Sequence, residues 1–306
     1  MSMAARQRRL GMCGVLSAAI LWGTTGTAAT FAPQVSAVAI GAVAMGMGGI
    51  LQALFAARSI ARFAEQLRSN WCVLLIGAIA VAIYPLAFYV SMHLAGVTVG
   101  TVIAIGSAPL FSALIEYCLQ GQKLSVRWML GASLGIAGML LLSIAKNGSH
   151  QLASESTAVT SGVILGLIAG FTYAVYSWAA HRLMQRGIAS RVAMGATFGI
   201  GGVLLMPILA VTGAGLLASW NNAAVGLYMA LVPMFMGYIC YGFGLARIPA
   251  SMATTITLIE PAIAAILAVV IVGERLIVSG WIGIILIMAC LLLITFPASI
   301  KEENKQ

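Results

Sequence analysis

The sequence predicts an all-α integral membrane protein with ten transmembrane helices in two inverted five-helix repeats. Three observations predict it. The 306 residues are 61% hydrophobic and only 8% charged, with a mean hydropathy of +1.05. A soluble domain is about half apolar and roughly a quarter charged, so this chain cannot cover a water-facing surface. The apolar residues fall into ten runs, at about 10–31, 35–57, 71–93, 97–119, 125–145, 160–181, 192–212, 222–246, 249–272 and 278–297. Each is near the ~20 residues needed to cross the ~30 Å hydrocarbon layer. Finally, the segment from Val97 to Leu142 aligns with that from Pro249 to Ile294 at a constant shift of 152.

The repeat sets the domain organisation. Under that shift Pro109 meets Pro261, Gly121 meets Gly273, Lys123 meets Arg275, and Gly131 meets Gly283. The first repeat covers 1–146, a polar linker covers 147–159, and the second repeat covers 160–306. Because five is odd, the two copies must cross the membrane in opposite senses. Inverted repeats with binding at the bilayer midplane are a design of carriers. All loops other than the linker are short and leave no room for a soluble catalytic domain.

The net charge of +9 does not mark a nucleic-acid binder, because the basic residues are dispersed in short loops. With the N-terminus inside, Arg6, Arg8, Arg9, Arg58, Arg62, Arg68, Lys123, Arg127, Arg182, Arg186, Arg191, Arg247, Lys301 and Lys305 fall on the cytoplasmic side. Only Lys146 and Arg275 fall outside. This positive-inside bias predicts cytoplasmic termini and supports the span count. The first run is too long for a signal peptide and nine more follow, so it reads as a retained helix. The five cysteines have no CxxC spacing and read as free thiols, with neither a disulfide framework nor a metal site. Three histidines and no HExxH, P-loop or GxSxG motif predict a protein that is not an enzyme and has no cofactor.

The second level is polarity at membrane depth. Ionisable groups there are costly and are functional candidates by default. Glu260 is the clearest, near the middle of the ninth run, just before Pro261 and three residues after Thr257. It reads either as a group that contacts substrate or a proton, or as a structural acceptor that holds the bend at Pro261. Glu116, close to Lys123, reads as an interfacial carboxylate. Pro109 and Pro261 are repeat-equivalent and predict matched bends. Trp71, Trp128, Trp220 and Trp281 sit at run ends, where indoles prefer the interface. Trp22 sits near mid-run, and Tyr84, Tyr89, Tyr173, Tyr176, Tyr238 and Tyr241 lie inside the third, sixth and eighth runs. Taken together they predict the lining of a cavity. Gly131 with Gly135, and Gly195 with Gly199, have the small-xxx-small spacing of close helix approach. Tight packing within a monomer is the expected use, and a dimer seam is the alternative.

Several motifs resemble a known family. Leu21-Trp22-Gly23-Thr24 resembles the opening of the first repeat in the drug/metabolite transporter superfamily. Ser107-Ala108-Pro109-Leu110-Phe111 resembles its SxxPLF stretch. Glu260-Pro261-Ala262, followed by Gly273-Glu274-Arg275-Leu276 and Gly283, resembles its EPxxA…GExL…G signature. The chain is similar to the ten-helix EamA-type members, and within them to the YddG-like aromatic amino-acid exporters. The resemblance implies a central cavity and export of amino acids across a bacterial inner membrane by alternating access. It places Trp22, Tyr84 and Tyr173 on the group's aromatic positions. Ala108 departs from it, since aromatic-specific members carry tryptophan beside the proline, which implies a broader range of neutral amino acids. Export of drugs, nucleosides or other small metabolites is the competing reading. The first run lacks the acidic residue of small multidrug exporters. The substrate-cavity candidates are therefore Trp22, Tyr84, Ala108, Tyr173, Tyr176, Tyr238, Tyr241, Thr257 and Glu260.

Overall fold

A chain in hydrocarbon must satisfy its own backbone, which leaves helices or closed barrels. The computed structural model describes residues 3–95, 97–121, 125–146, 156–273 and 277–295, and these contain helices and turns and no strand. The linker segment 147–155, Lys123, Glu274, Arg275, Lys301 and Lys305 lie outside the described residues. Eight helices are long and apolar enough to span a bilayer, and two shorter apolar helices, Val126–Leu141 and Val278–Ile294, occupy the fifth and tenth positions.

Five of the ten spans are uninterrupted through their central turns: the third (Trp71–Ala95), fourth (Val97–Gln120), fifth (Val126–Lys146), sixth (Ser156–Gln185) and tenth (Val278–Thr295). The seventh (Ser190–Thr212) runs on into a short 3-10 turn. The other four are irregular near mid-membrane. The first comprises Met3–Gly23 and Thr25–Thr30, broken at Thr24. There the Thr24 and Thr25 hydroxyls donate to the Leu21 and Trp22 carbonyls at 2.6 and 2.7 Å, back-bonding that competes with the helix ladder. The second span contains a π-helical stretch, Ala42–Met47, and the eighth another, Ala230–Met236, around Pro233. In the ninth, Ala250–Ile256 gives way to a 3-10 turn, Thr257–Ile259, before Glu260–Leu267. The cause is local. Pro261 has no N–H to offer the Thr257 carbonyl, so the Glu260 N–H takes that acceptor from three residues away and tightens the turn. Pro109 and Pro85, by contrast, lie inside continuous helices.

The packing pairs are closed under exchange of the two halves. The third span packs on the sixth as the eighth packs on the first, and the fourth packs on the sixth as the ninth packs on the first. The second with the seventh, the fourth with the ninth and the fifth with the tenth pair across the two-fold relation. The repeat-matched Gly121 and Gly273 both adopt left-handed backbone, φ 66° and 80°, and both terminate their spans, as an αL glycine commonly does.

The glycine pairs serve these seams. A Cβ at Gly195 would lie 2.7 Å from the Ala56 Cβ and 2.9 Å from the Gln52 carbonyl oxygen, so the seventh span rests directly on the second. Gly131 and Gly135 meet Ile294 and Cys290 of the tenth. Both pairs are used inside the monomer. Glu116 differs from its sequence reading as an interfacial group. It is 1% exposed, and its Oε1 accepts the Ser251 N–H at 3.2 Å, satisfying one of the free donors at the start of the ninth span.

Candidate functional site

The breaks in the first and ninth spans face a common space. A cavity of about 350 Å³ is walled by Trp22, Thr25 and Gly26 of the first span and by Glu260, Pro261 and Ala264 of the ninth. Phe88, Tyr89 and Met92 of the third span, Thr101, Val102 and Ile105 of the fourth, Ile40 of the second, Met139 of the fifth and Met229 of the eighth complete it. Ala29, Ala37, Met92 and Thr101 lie near span ends on the face opposite the N-terminus, so the cavity extends toward that face. A deeper annex of about 50 Å³ shares Trp22, Thr25, Phe88, Tyr89 and Glu260 and adds Tyr84, Tyr173, Tyr176 and Tyr238.

The aromatic residues pack as a floor. The Trp22 ring lies 4.8 Å from that of Tyr238 and 5.2 Å from that of Tyr241. Tyr173 and Tyr176 stack at 5.2 Å, and Tyr84 leans on both at 5.6 and 5.8 Å. The polar tips of Trp22, Tyr173, Tyr176, Tyr238 and Tyr241 each have a partner, as buried Trp and Tyr require. The Trp22 Nε1–H donates to the Pro233 carbonyl at 2.8 Å. The Tyr173 hydroxyl donates to Thr257 Oγ1 at 3.0 Å, and Thr257 donates in turn to the Thr254 carbonyl. Tyr176 and Tyr238 share a hydrogen bond of 3.0 Å, and Tyr241 donates to Ser177 at 2.8 Å. On the N-terminal side of this floor Met12, Val15, Ala18, Ala19, Leu245 and Ile248 are buried in one continuous cluster. The cavity lies on one side of the aromatic layer, and on the other this cluster fills the space beneath Trp22 and Tyr241.

Glu260 lines both the cavity and its annex. Among the described residues no side chain hydrogen-bonds its carboxylate, and no lysine, arginine or histidine lines either space. The structure therefore sets one free carboxylate in a wall of rings, thioethers and methyls, with the hydroxyls of Thr25, Thr101 and Tyr89 also on that wall.

Of the sequence-selected residues, Trp22, Tyr84, Tyr173, Tyr176, Tyr238 and Glu260 come together at these spaces, and Pro261 bends the wall beside them. Thr257 is fully buried against Tyr173, and Tyr241 is buried beneath Trp22. Ala108, the repeat equivalent of Glu260, is fully buried and is not on the wall, and Pro109 is one residue further along the same continuous helix. Sequence reasoning missed Ile40, Met139 and Met229, which as apolar residues in apolar runs carry no mark. It also missed Thr25 and Thr101, which a search for hydroxyls at the depth of Trp22 would have found.

A multi-pass helical protein with two exchangeable halves, a cavity at their interface and a closed opposite face is a transporter. The chain belongs to the EamA-like transporter family, whose model matches residues 9–144 and again 160–296, and is not an enzyme. It is 32% identical to the uncharacterized transporter YwfM of Bacillus subtilis strain 168 over 282 residues, 92% of each chain. It is 25% identical to the threonine/homoserine exporter RhtA of Escherichia coli K12, covering 86% of this chain and 83% of that one. It is 24% identical to a probable terminal-alkyne amino-acid exporter of Streptantibioticus cattleyicolor, covering 86% and 90%. A solved crystal structure superposes with a TM-score of 0.75 over 92% of this chain and 95% of its own at 19% identity, which shows a shared fold.

Proposed function

We propose that this chain exports neutral amino acids across a bacterial inner membrane by alternating access, with Glu260 receiving the substrate ammonium. The observation that carries the reading is the free carboxylate in an otherwise apolar, aromatic-floored cavity. An ammonium brought there finds a charge partner in a low-dielectric site where the attraction is strong. The substrate side chain meets Phe88, Met92, Ile105 and Met139, a surface that suits aromatic, aliphatic and thioether groups alike. Two relatives named as exporters of amino acids support the class. In this reading residues 1–146 and 160–306 are the two rocking halves, both termini are cytoplasmic, and the described conformation faces outward. Tyr89, whose hydroxyl stands on the cavity wall, supplies a donor for the substrate carboxylate, and the protein works as a monomer.

A specific observation favours a second reading. Among the described residues no cationic side chain lines the cavity, so an organic amine without a carboxylate would fit the same wall. Proteoliposomes decide between them. Labelled threonine, methionine or phenylalanine should exchange saturably, with competition among neutral amino acids and stimulation by substrate on the far side. Competition by organic amines but by no amino acid would replace the first reading with the second. Flux that neither saturates nor shows counter-stimulation would overturn the carrier reading altogether.

A further inference from the structure

A second, separate groove lies at the other end of the molecule, on the side of the N-terminus. Arg58 and Arg62 are one helical turn apart at the end of the second span. Arg191 is the second residue of the seventh. The three surround a hollow of about 460 Å³ together with Leu54, Phe55 and Ser59. Phe55 and Arg191 also line an adjoining trough of about 400 Å³ that continues over Met194, Ile239 and Phe243, with Tyr238 at its inner end. The basic hollow and the apolar trough are therefore one continuous surface.

All three guanidinium groups are exposed. Among the described residues no carboxylate pairs with them, Glu65 three positions beyond Arg62 included. Arg247 at the far rim is already engaged. It hydrogen-bonds Gln7 and the Phe243 carbonyl, and its guanidinium lies 3.6 Å above the Phe243 ring. The unpaired charges are thus confined to one end of the trough. Guanidinium groups prefer phosphate as a forked, charge-assisted partner. Basic pockets between spans on the cytoplasmic side have the chemistry of an acidic-lipid headgroup site.

We propose that this groove binds an acidic phospholipid, with its phosphate among Arg58, Arg62 and Arg191 and an acyl chain along Phe55, Met194 and Phe243. A free inorganic anion would need the arginines and not the trough. A zwitterionic lipid has the same phosphate but also brings a trimethylammonium cation into the field of three arginines, which opposes its binding. The arginines come from both halves of the repeat, so one headgroup ties the second span to the seventh beside the closed face. Binding itself does not depend on which leaflet that face meets.

The purified full chain in detergent is titrated with phosphatidylglycerol, with phosphatidylcholine of the same acyl chains, and with inorganic phosphate. Bound lipid is read by native mass spectrometry and thermal unfolding. Phosphatidylglycerol should bind and raise the melting temperature, and the other two should do neither. R58Q/R62Q/R191Q should weaken that binding by about fivefold per arginine, roughly a hundredfold in all. R6Q/R8Q/R9Q, which removes the same charge elsewhere, should leave it unchanged. If the first triple variant fails to fold, R191Q alone should show the fivefold loss. Equal binding of phosphatidylcholine, an equal shift from phosphate alone, or undiminished phosphatidylglycerol binding in the arginine variants would overturn the proposal.

Discussion

The seam between the first and eighth spans gives the proposed mechanism its sharpest test. This seam closes the side of the aromatic floor away from the cavity, and it closes because glycines let two backbones touch. A Cβ at Gly244 would lie 2.6 Å from the Gly11 carbonyl oxygen and 3.0 Å from the Val15 backbone nitrogen. A Cβ at Gly14 would lie 2.9 Å from the Cys240 carbonyl oxygen and 3.2 Å from the Gly244 nitrogen. In both cases the obstacle is backbone, which cannot rotate away as a side chain can, so the spans must part. Overpacking of this kind costs about 1–3 kcal/mol. If the seam separates when the inner face opens, most of that cost falls on the outward-facing state alone. The equilibrium should then move toward inward opening by roughly 5- to 150-fold. Ser177, fully buried beneath the floor, reports the change. In a background without the native cysteines, Ser177→Cys should react slowly with a polar maleimide. It should react faster by a factor in that range once Gly14→Ala or Gly244→Ala is added. Variants that melt close to the parent yet label no faster would refute the idea that this seam gates the inner face.

The remaining predictions concern single contacts. Glu260→Gln should abolish the dependence of amino-acid binding on pH. In the parent, the ammonium needs the ionised carboxylate, so affinity should rise with pH through the titration of Glu260 and stay flat in the variant. Isothermal titration across pH 5–9 checks this, and an unchanged profile in the variant would exclude the role. Glu116→Ala leaves the Ser251 N–H unpaired in a buried place and should cost about 1–3 kcal/mol of stability. Glu116→Gln keeps an acceptor oxygen and should recover much of it in thermal unfolding. Gly195→Leu should strongly destabilise the monomer, because the side chain meets the Ala56 Cβ and the Gln52 carbonyl. It should leave the oligomeric state read by light scattering unchanged, whereas a Gly195 dimer seam would dissociate.

The fold was legible because the bilayer imposes it. Ten apolar runs and a repeat offset leave few arrangements, and the left-handed Gly121 and Gly273 sit where that offset pairs them. The break in the ninth span was legible too, since a proline in an apolar run removes a donor whatever surrounds it. Other features depend on contacts between distant segments. Nothing in the second span around Ala42–Met47 contains proline, yet it is π-helical. Its cause is not visible in the local sequence. Glu116 near a lysine reads as interfacial, and only the ninth span arriving at Ser251 makes it a buried acceptor. The aromatic residues announced a cluster, but not whether the rings would stand around a space or fill one. That choice was set by partners such as Pro233, Thr257 and Ser177, drawn from three different spans.

The repeat also explains why one conformation can be open on one side only. Exchange of the halves maps every major packing pair onto another, so the scaffold by itself has no preferred face. The preference must come from residues that break the exchange at the centre. Pro109 and Pro261 are equivalent in position, yet only Pro261 sits at a broken helix. Just before them Ala108 is sealed in the core, and Glu260 stands in the cavity wall. Ala108 is a buried methyl in a fourth span that stays one continuous helix. A carboxylate cannot be buried there without a partner, and the tightened turn before Pro261 presents it to the cavity. The same two positions in the two halves thus perform different tasks, one packing and one polar. In the proposed mechanism, a Glu260 neutralised by a substrate ammonium loses the reason to remain facing water, and loading releases the outward state.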